Sequence, residues 1–213
     1  MNNNSFKKGG LHLPRTKEQF EEMRNKTREK IQLAAMQLFV QKGYGSTNVQ
    51  EIADLAGVSI GLLYRHYKTK EELFNELVEY SINGIKGVSD LFKQDDSPKK
   101  LIKQFINIVY NDMVEGDELA NLLILMTQSI FSGATHHVEN EINKQDAEML
   151  NATSNLIKRG QEIGEFRSGN PYELAVFFYS TIQGLATMKV MLKDRFIMPS
   201  PSIITAFLLK EGE

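Results

Sequence analysis

The chain has 213 residues, enough for one or two domains with a buried core, and carries 25 Lys/Arg against 27 Asp/Glu, 41% hydrophobic residues and no cysteine. The lack of cysteine excludes disulfides, thiolate metal sites and cysteine nucleophiles, and a reducing, cytoplasmic compartment is expected. The opening "MNNNSFKKGGLHLPRTKEQF" has no apolar signal-peptide core, and unbroken apolar runs such as Leu122 to Met126 are far too short to cross a bilayer, so no membrane partner is expected.

Charge is spread unevenly. Residues 1–70 hold 12 Lys/Arg and 6 Asp/Glu, a net of +6, which leaves residues 71–213 with 13 and 21, a net of −8. A basic end joined to an acidic remainder suggests that only the first part meets a polyanion. Apolar residues recur at three and four throughout and no alternating strand stands out, so the fold class expected is all-α.

A polar, basic tail over residues 1–15 is expected to be flexible, and Lys7, Lys8, Arg15 and Lys17 could add loose contacts to a polyanion. A first helix can start at the cap-like Thr16, or nearer Arg24, and runs through Ile31, Ala34, Ala35, Leu38 and Phe39 to Gly43. The second has Thr47 and Gln50 in capping-box spacing, places Val49, Ile52, Ala53 and Ala56 on one face, and ends at Gly57. After the next short helix, "TKEE" opens a fourth through Leu73, Phe74, Leu77 and Val78, whose end is blurred by Gly84 and Gly87.

Ser97-Pro98 starts a helix that closes at Gly116, an apolar helix follows from Leu119 to about Phe131, and a long one spans roughly Val138 to Ile163. "NPYELAVFFYSTIQGLATMKVMLKD" begins with Asn170 as cap, Pro171 in the first turn and Glu173 third. Ser200-Pro201 starts a last helix expected to reach Leu209.

Gly57-Val58-Ser59-Ile60-Gly61 spells a hydrolase nucleophile elbow, which needs a buried strand before the serine and a long helix after it. Helix-period residues precede Ser59 instead. As a cap, Ser59 accepts from first-turn amides while Val58 packs on Leu63. A three-residue turn with glycine between two short helices is the helix-turn-helix arrangement, whose second helix enters the DNA major groove.

The stretch "REKIQLAAMQLFVQKGYGSTNVQEIADLAGVSIGLLYRHYKTKEELFNEL", Arg28 to Leu77, resembles the DNA-binding domain of TetR-family transcriptional regulators: an "AAMQLFVQKGY" helix, then "EIADLAGVS", then "LYRHYKTKEELF". "LIKRGQEIGEFRSGNPYELAVFFYSTIQGLA" looks like the last ligand-domain helices of that family. The resemblance implies an N-terminal three-helix helix-turn-helix domain over residues 16–70 and a larger helical ligand-binding and dimerisation domain over residues 71–213. It implies that Thr47 holds phosphate, that Ser59, Ile60, Gly61 and Leu62 face the groove, and that Tyr64, His66 and Lys70 bind phosphates. A hydroxyl, a phenol, an imidazole and an ammonium are all suitable donors. Ile60 and Leu62 depart from the family's usual polar or cationic residues there, and apolar side chains read thymine methyls.

A short reader of this kind gains affinity by pairing on two half-sites of a palindromic operator, so a homodimer is expected. The helix from Pro171 is apolar nearly all round, as in a helix buried on two sides. With the last helix it offers Phe177, Thr181, Leu185, Ile204, Phe207 and Leu208 as candidates for a four-helix interface, the alternative being a central helix in a monomer. Phe105, Ile108, Val109, Met113, Met126, Phe131, Tyr172, Phe178 and Met188 are candidate linings of a pocket for a small apolar or amphipathic ligand, or members of ordinary core.

His136-His137 with Glu139 and Glu141 is read as a solvated helix start, so no metal and no other cofactor is expected. The adjacent carboxylates Glu21-Glu22, Glu71-Glu72 and Asp95-Asp96 point apart on a helix and cannot act as an acid–base pair. The function expected is therefore a non-enzymatic, DNA-binding repressor released by a small ligand. The alternatives are a helical adaptor whose basic end docks an acidic protein, and a Ser59 hydrolase.

Overall fold

The computed structural model describes residues 17–132 and 139–210. Among these, nine α-helices follow one another: α1 Lys17–Lys42, α2 Val49–Ala56, α3 Ile60–His66, α4 Lys70–Phe92, α5 Pro98–Glu115, α6 Glu118–Ser132, α7 Glu139–Glu162, α8 Pro171–Leu192 and α9 Pro201–Thr205, with a 3-10 turn at Lys193–Arg195. The chain is all-α, and the described residues pair as β only at one isolated antiparallel bridge, Phe166 with Leu209.

Local chemistry sets most boundaries. The α1 helix ends where Gly43 takes a left-handed φ of 81°. Pro98 and Pro171 each sit in the first turn of their helix, behind the caps Ser97 and Asn170. Ser97 Oγ accepts from the Lys100 amide at 3.2 Å and donates to Glu165 at 2.8 Å, while the other Glu165 oxygen accepts from the Lys99 amide at 2.8 Å. A carboxylate thus closes the positive end of α5 and ties it to the segment after α7.

Packing overrides local preference in two places. The α4 helix runs through Gly84 and Gly87 to Phe92, because Leu73, Leu77, Val78, Ile82 and Phe92 keep one face buried along its length. The last helix stops at Thr205 rather than reaching Leu209. There the backbone turns to pair with the loop after α7: the Arg167 amide donates to Leu208 O at 2.9 Å and the Lys210 amide to Glu165 O at 3.3 Å.

Two apolar cores result. One joins α1 to α3 and the first half of α4 with Leu125, Met126 and Ile142 from α6 and α7; the other joins the second half of α4 and the start of α6, with Ala120, to α5 and α7 to α9. The division proposed at residue 70 therefore falls in the first turn of a helix that serves both cores. In the second core the backbone of Gly160 lies under the ring of Phe166, with which a Cβ would collide. The segment Pro171–Arg195 reaches the length and mean hydropathy, 1.2, of a membrane-crossing helix. Here it packs on α6 and α7, leaving one side uncovered.

Candidate nucleic-acid interface

The α2–turn–α3 unit is built from caps. Asn48, not Thr47, caps α2: its side chain accepts from the Glu51 amide at 2.9 Å and Glu51 reaches back to the Asn48 amide at 3.3 Å. The two candidate boxes differ by one residue and both satisfy the spacing rule. Thr47 is drawn elsewhere. It is buried, and its hydroxyl donates to Gly43 O at 2.9 Å and Leu38 O at 3.3 Å, carbonyls at and just beyond the last turn of α1. Its hydroxyl is not available to phosphate.

Gly57 ends α2 at φ 67°, ψ 34°, its amide and that of Val58 donating to Asp54 and Ala53 carbonyls at 3.2 and 3.0 Å. Ser59 Oγ accepts from the Leu62 amide at 3.2 Å, which makes it the cap of α3. Neither the strand nor the strained turn of a nucleophile elbow is present around it. Leu63 and Tyr67 are buried, while Ile60, Gly61, Tyr64, Arg65 and Lys68 are exposed and Leu62 is half-buried. One side of α3 is thus inserted in the core and the other left open.

Two polar clusters hold α3 in place. At its end, the Tyr67 hydroxyl donates to Glu76 of α4 at 3.3 Å; Gln32 donates to the same oxygen at 2.6 Å, and Arg28 grips both oxygens of Glu76 while lying 4.9 Å over the Tyr67 ring. The Glu76 carboxylate holds the Arg28 guanidinium above its ordinary range, and burial beside that carboxylate pushes the Tyr67 phenol well up. Ahead of α2, Lys70 donates to Tyr44 O and Thr47 O, both at 2.7 Å, with its ammonium 4.4 Å over the Tyr44 ring. Tyr44, Phe39 and Phe74 stack into one cluster, with centroids 4.6 to 5.6 Å apart.

Lys70 is accordingly committed to the fold, with at most one donor left for a ligand. His66 departs from expectation too. Its Nδ1 is buried without a hydrogen-bond partner, and burial together with the nearby Arg24 and Arg28 lowers its pKa, so the imidazole is neutral near pH 7. Sequence spacing could not foresee this, because Arg24 and Arg28 come from another helix. The open, cationic or donor-bearing positions are Tyr64, Arg65 and Lys68. Arg65, which the sequence left open to an ion pair with an acidic neighbour, is exposed, and Lys68 lies inside the motif without being expected as a contact.

A cavity of about 810 Å³ lies beyond this unit, walled by α4, α5, α6, α7 and α8. Phe105, Ile108, Val109 and Met126 line it as expected of pocket residues. Met113 and Phe178 do not: both are fully buried in the second core. Tyr172 and Met188 lie on the uncovered side of α8, and Phe131, with His136 and His137, falls outside the residues whose side chains are described. The rhythm of α8 could not separate its two sides, since apolar residues occur all round; the cavity side is Tyr179, Ile182 and Gln183. Tyr80, Ser81, Gly84, Ile85 and Val88 of α4, also unforeseen, bring the cavity onto the helix that carries Glu76. Among the described residues no group of three or more His, Asp or Glu could hold a metal ion.

Of the six dimer candidates, Ile204 and Leu208 point inward and are buried, which removes them. The last segment curls back at Thr205, so a helical projection to Leu209 assigned their faces wrongly. Phe177 is 55% exposed and stacks edge-on with the half-buried Phe207 at 4.7 Å. Thr181 donates to Phe177 O at 2.9 Å, and Leu185 is half-buried. Tyr172, Val176, Met188, Met191 and Ile203 extend the exposed apolar face.

Residues 31–77 match the family described as bacterial regulatory proteins, tetR family. The chain is 27% identical over 190 residues to the transcriptional regulator YvkB of Bacillus subtilis, covering 86% of this chain and 96% of that one. It is 27% identical to the regulator QacR of Staphylococcus aureus, covering 75% and 84%. A third relative, YerO of Bacillus subtilis, is 31% identical over 50% of this chain, a match that spans 37% of its own length. Among solved structures, the MbdR regulator from Azoarcus sp. CIB superposes with a TM-score of 0.66 at 25% identity, over 85% of this chain and 94% of that one. NalD from Pseudomonas aeruginosa does so with 0.62 at 23%, over 90% and 100%. A capped helix-turn-helix at residues 31–77 therefore matches the TetR family of bacterial regulatory proteins, and the helical C-terminal domain that carries it is similar along most of its length to regulators of that fold.

Proposed function

We propose that the protein is a homodimeric repressor that reads a palindromic operator in the bacterial cytoplasm and leaves it when a small ligand fills the cavity. The observation that carries this reading is the course of α4. Its first turns hold Tyr67 of α3 through Glu76, and its following turns, from Tyr80 to Val88, wall the cavity. A second link runs through α6, where Gln128 donates to Val40 O of α1 at 3.1 Å. A ligand that fits only one setting of α4 and α6 shifts the spacing of two recognition helices, with a typical coupling of ~1–3 kcal/mol.

On DNA, the open side of α3 enters the major groove. Ile60, Gly61 and the edge of Leu62 lie against bases, Ser59 at the helix start approaches the backbone, and Tyr64, Arg65 and Lys68 meet phosphates. Thr47 and Lys70 shape the approach rather than make the main contacts, and the neutral His66 acts as a hydrogen-bond donor rather than a cation. Ile60, being the more exposed apolar residue, reads a thymine methyl. The uncovered face of α8, centred on Phe177, meets its copy across a two-fold and sets the recognition helices about one helical turn apart, ~34–36 Å.

Selection of bound duplexes from a random DNA pool tests this reading. A recovered palindrome with a thymine that Ile60→Ala makes indifferent is the expected result. Enrichment of single, non-repeated sites would contradict the dimer, and enrichment of nothing at low and moderate salt would contradict DNA reading by this unit.

A further inference from the structure

Among the described residues, the charged groups around the cavity all have one sign. Its walls are largely aliphatic and aromatic, yet the described lining also includes Asp112, Glu115, Glu118 and Asp146 and contains no Lys, Arg or His. Asp112, Glu115 and Glu118 are exposed where α5 meets α6, and so form an acidic mouth. Asp146 differs from them. It is half-buried on α7, and among the described residues it has neither an ion pair nor a hydrogen bond.

A carboxylate drawn partly out of water without a partner is costly in either of two ways: it keeps its charge unpaired, or it takes up a proton. Burial alone does raise the Asp146 carboxyl above the usual range, with no neighbouring cation opposing the shift. Elsewhere in the molecule half-buried acids are answered: Glu76 has Arg28, and Glu165 has a helix start. At Asp146 the missing counter-charge is one that a ligand can bring. Tyr80, Phe105 and Tyr179 also line the cavity, and aromatic faces favour positive charge further; the Tyr179 hydroxyl is held away at Thr153, 2.7 Å from its Oγ1.

Among the described residues, an organic anion in this space would meet four carboxylates and no cation. A neutral ligand would cover Asp146 and leave it unpaired. We infer that the cavity is selective for organic cations, the hydrophobic body lying against the aliphatic walls of α4, α5 and α6 and the positive centre lying toward Asp146. This rests on the reading of the cavity as a ligand site and adds the charge of the ligand.

Three probes of similar shape separate the two ideas: the cation tetraphenylphosphonium, the anion tetraphenylborate and the neutral triphenylphosphine oxide. Each is titrated calorimetrically into the full-length protein and into Asp146→Asn, with circular dichroism to confirm that the variant is folded. The expected result is a cation at least about tenfold tighter than the anion, a preference that falls about tenfold in Asp146→Asn while the neutral probe binds both proteins alike. Equal binding of cation and anion, or a preference unmoved by Asp146→Asn, would overturn charge selectivity while binding of the neutral probe left the ligand site standing. Failure of all three to bind would overturn both. Release of operator DNA is scored separately: a cation that binds selectively without loosening DNA refutes ligand-driven release and supports the charge assignment.

Discussion

The open side of α3 and the uncovered side of α8 meet water in opposite ways. On α3, the exposed Ile60 and Tyr64 stand singly among Ser59, Arg65 and Lys68, a surface that is well solvated alone and still suited to a polyanion. On α8, Tyr172, Val176, Phe177, Met188 and Met191 are exposed on one helix, with Ile203 of α9 adding to them. So large a contiguous apolar surface marks an interaction face. The first surface is finished in a single chain, whereas the second, in the proposed dimer, is completed by another copy, a reading that separates residues that choose DNA from residues that give affinity by pairing.

The largest way to break that division is to charge the α8 face. Phe177→Asp places like charges near each other across a two-fold and removes the edge contact to Phe207. Sedimentation is expected to show a monomer at micromolar protein, and operator affinity is expected to fall at least about a hundredfold through lost bivalency, with helical content kept. A dimer mass unchanged by the substitution would mean that pairing uses another surface.

Next in size is the anchor of α3. Glu76→Ala strips Arg28, Gln32 and Tyr67 of their shared acceptor and is expected to cost about 2 kcal/mol in thermal or denaturant unfolding, together with a loss of operator affinity. Glu76→Gln, which keeps an acceptor without the charge, should recover part of both. If unfolding moves and operator affinity does not, the network is a fold element with no part in setting the reader.

The turn itself comes third. Ser59→Ala removes the α3 cap and should cost about 1 kcal/mol. Gly57→Ala forces a side chain into the left-handed region, where no neighbour lies within 4 Å, and should cost a similar ~1 kcal/mol from backbone strain alone. A much larger loss at Gly57 would show that the turn cannot relax at all.

These positions also mark what could be read from sequence. Gly43, Gly57, Ser59, Asn170 and the prolines of α5 and α8 act within four residues of themselves, so spacing rules find them, and the family resemblance rests on the same local signals. Thr47 and Asn48 already strain that logic, since both satisfy the box and only the carbonyls at the end of α1 decide between them. Farther down the chain the deciding contacts are distant in sequence. Ile204 and Leu208 turn inward because their segment pairs with residues 165–167, and the inner side of α8 is chosen by α6 and α7. The cavity was therefore only half legible: an apolar stripe shows that a helix has a buried side without showing what lies opposite. Asp146 is the sharper case, because a single acid within a polar helix face gives no sign that it lines a cavity.

The smallest expected effect tests the neutral His66. An unfolded histidine titrates near 6.5, and in the fold burial with Arg24 and Arg28 lowers that value. Below about pH 6.5 the unfolded chain therefore binds a proton that the folded chain resists, so this group destabilises the fold increasingly as pH falls from 6.5 through the lowered folded value, and then no further; above 6.5 it contributes nothing. Glu51 and Asp96 are shifted the other way, held low by Lys42 and Lys100, and their contributions fade only as pH falls below ordinary carboxylate values of 4.5 and 3.8. The two windows are separate. Stability measured from pH 7.5 to 5 should decline modestly in the natural sequence and more gently in His66→Gln, with the two curves parallel above pH 7. Operator binding at pH 7 should respond little to the substitution if His66 donates one neutral hydrogen bond, and its salt dependence should not change. A shallower salt slope in His66→Gln would instead mean that DNA phosphates pull a proton onto this imidazole, making it a cation only in the complex.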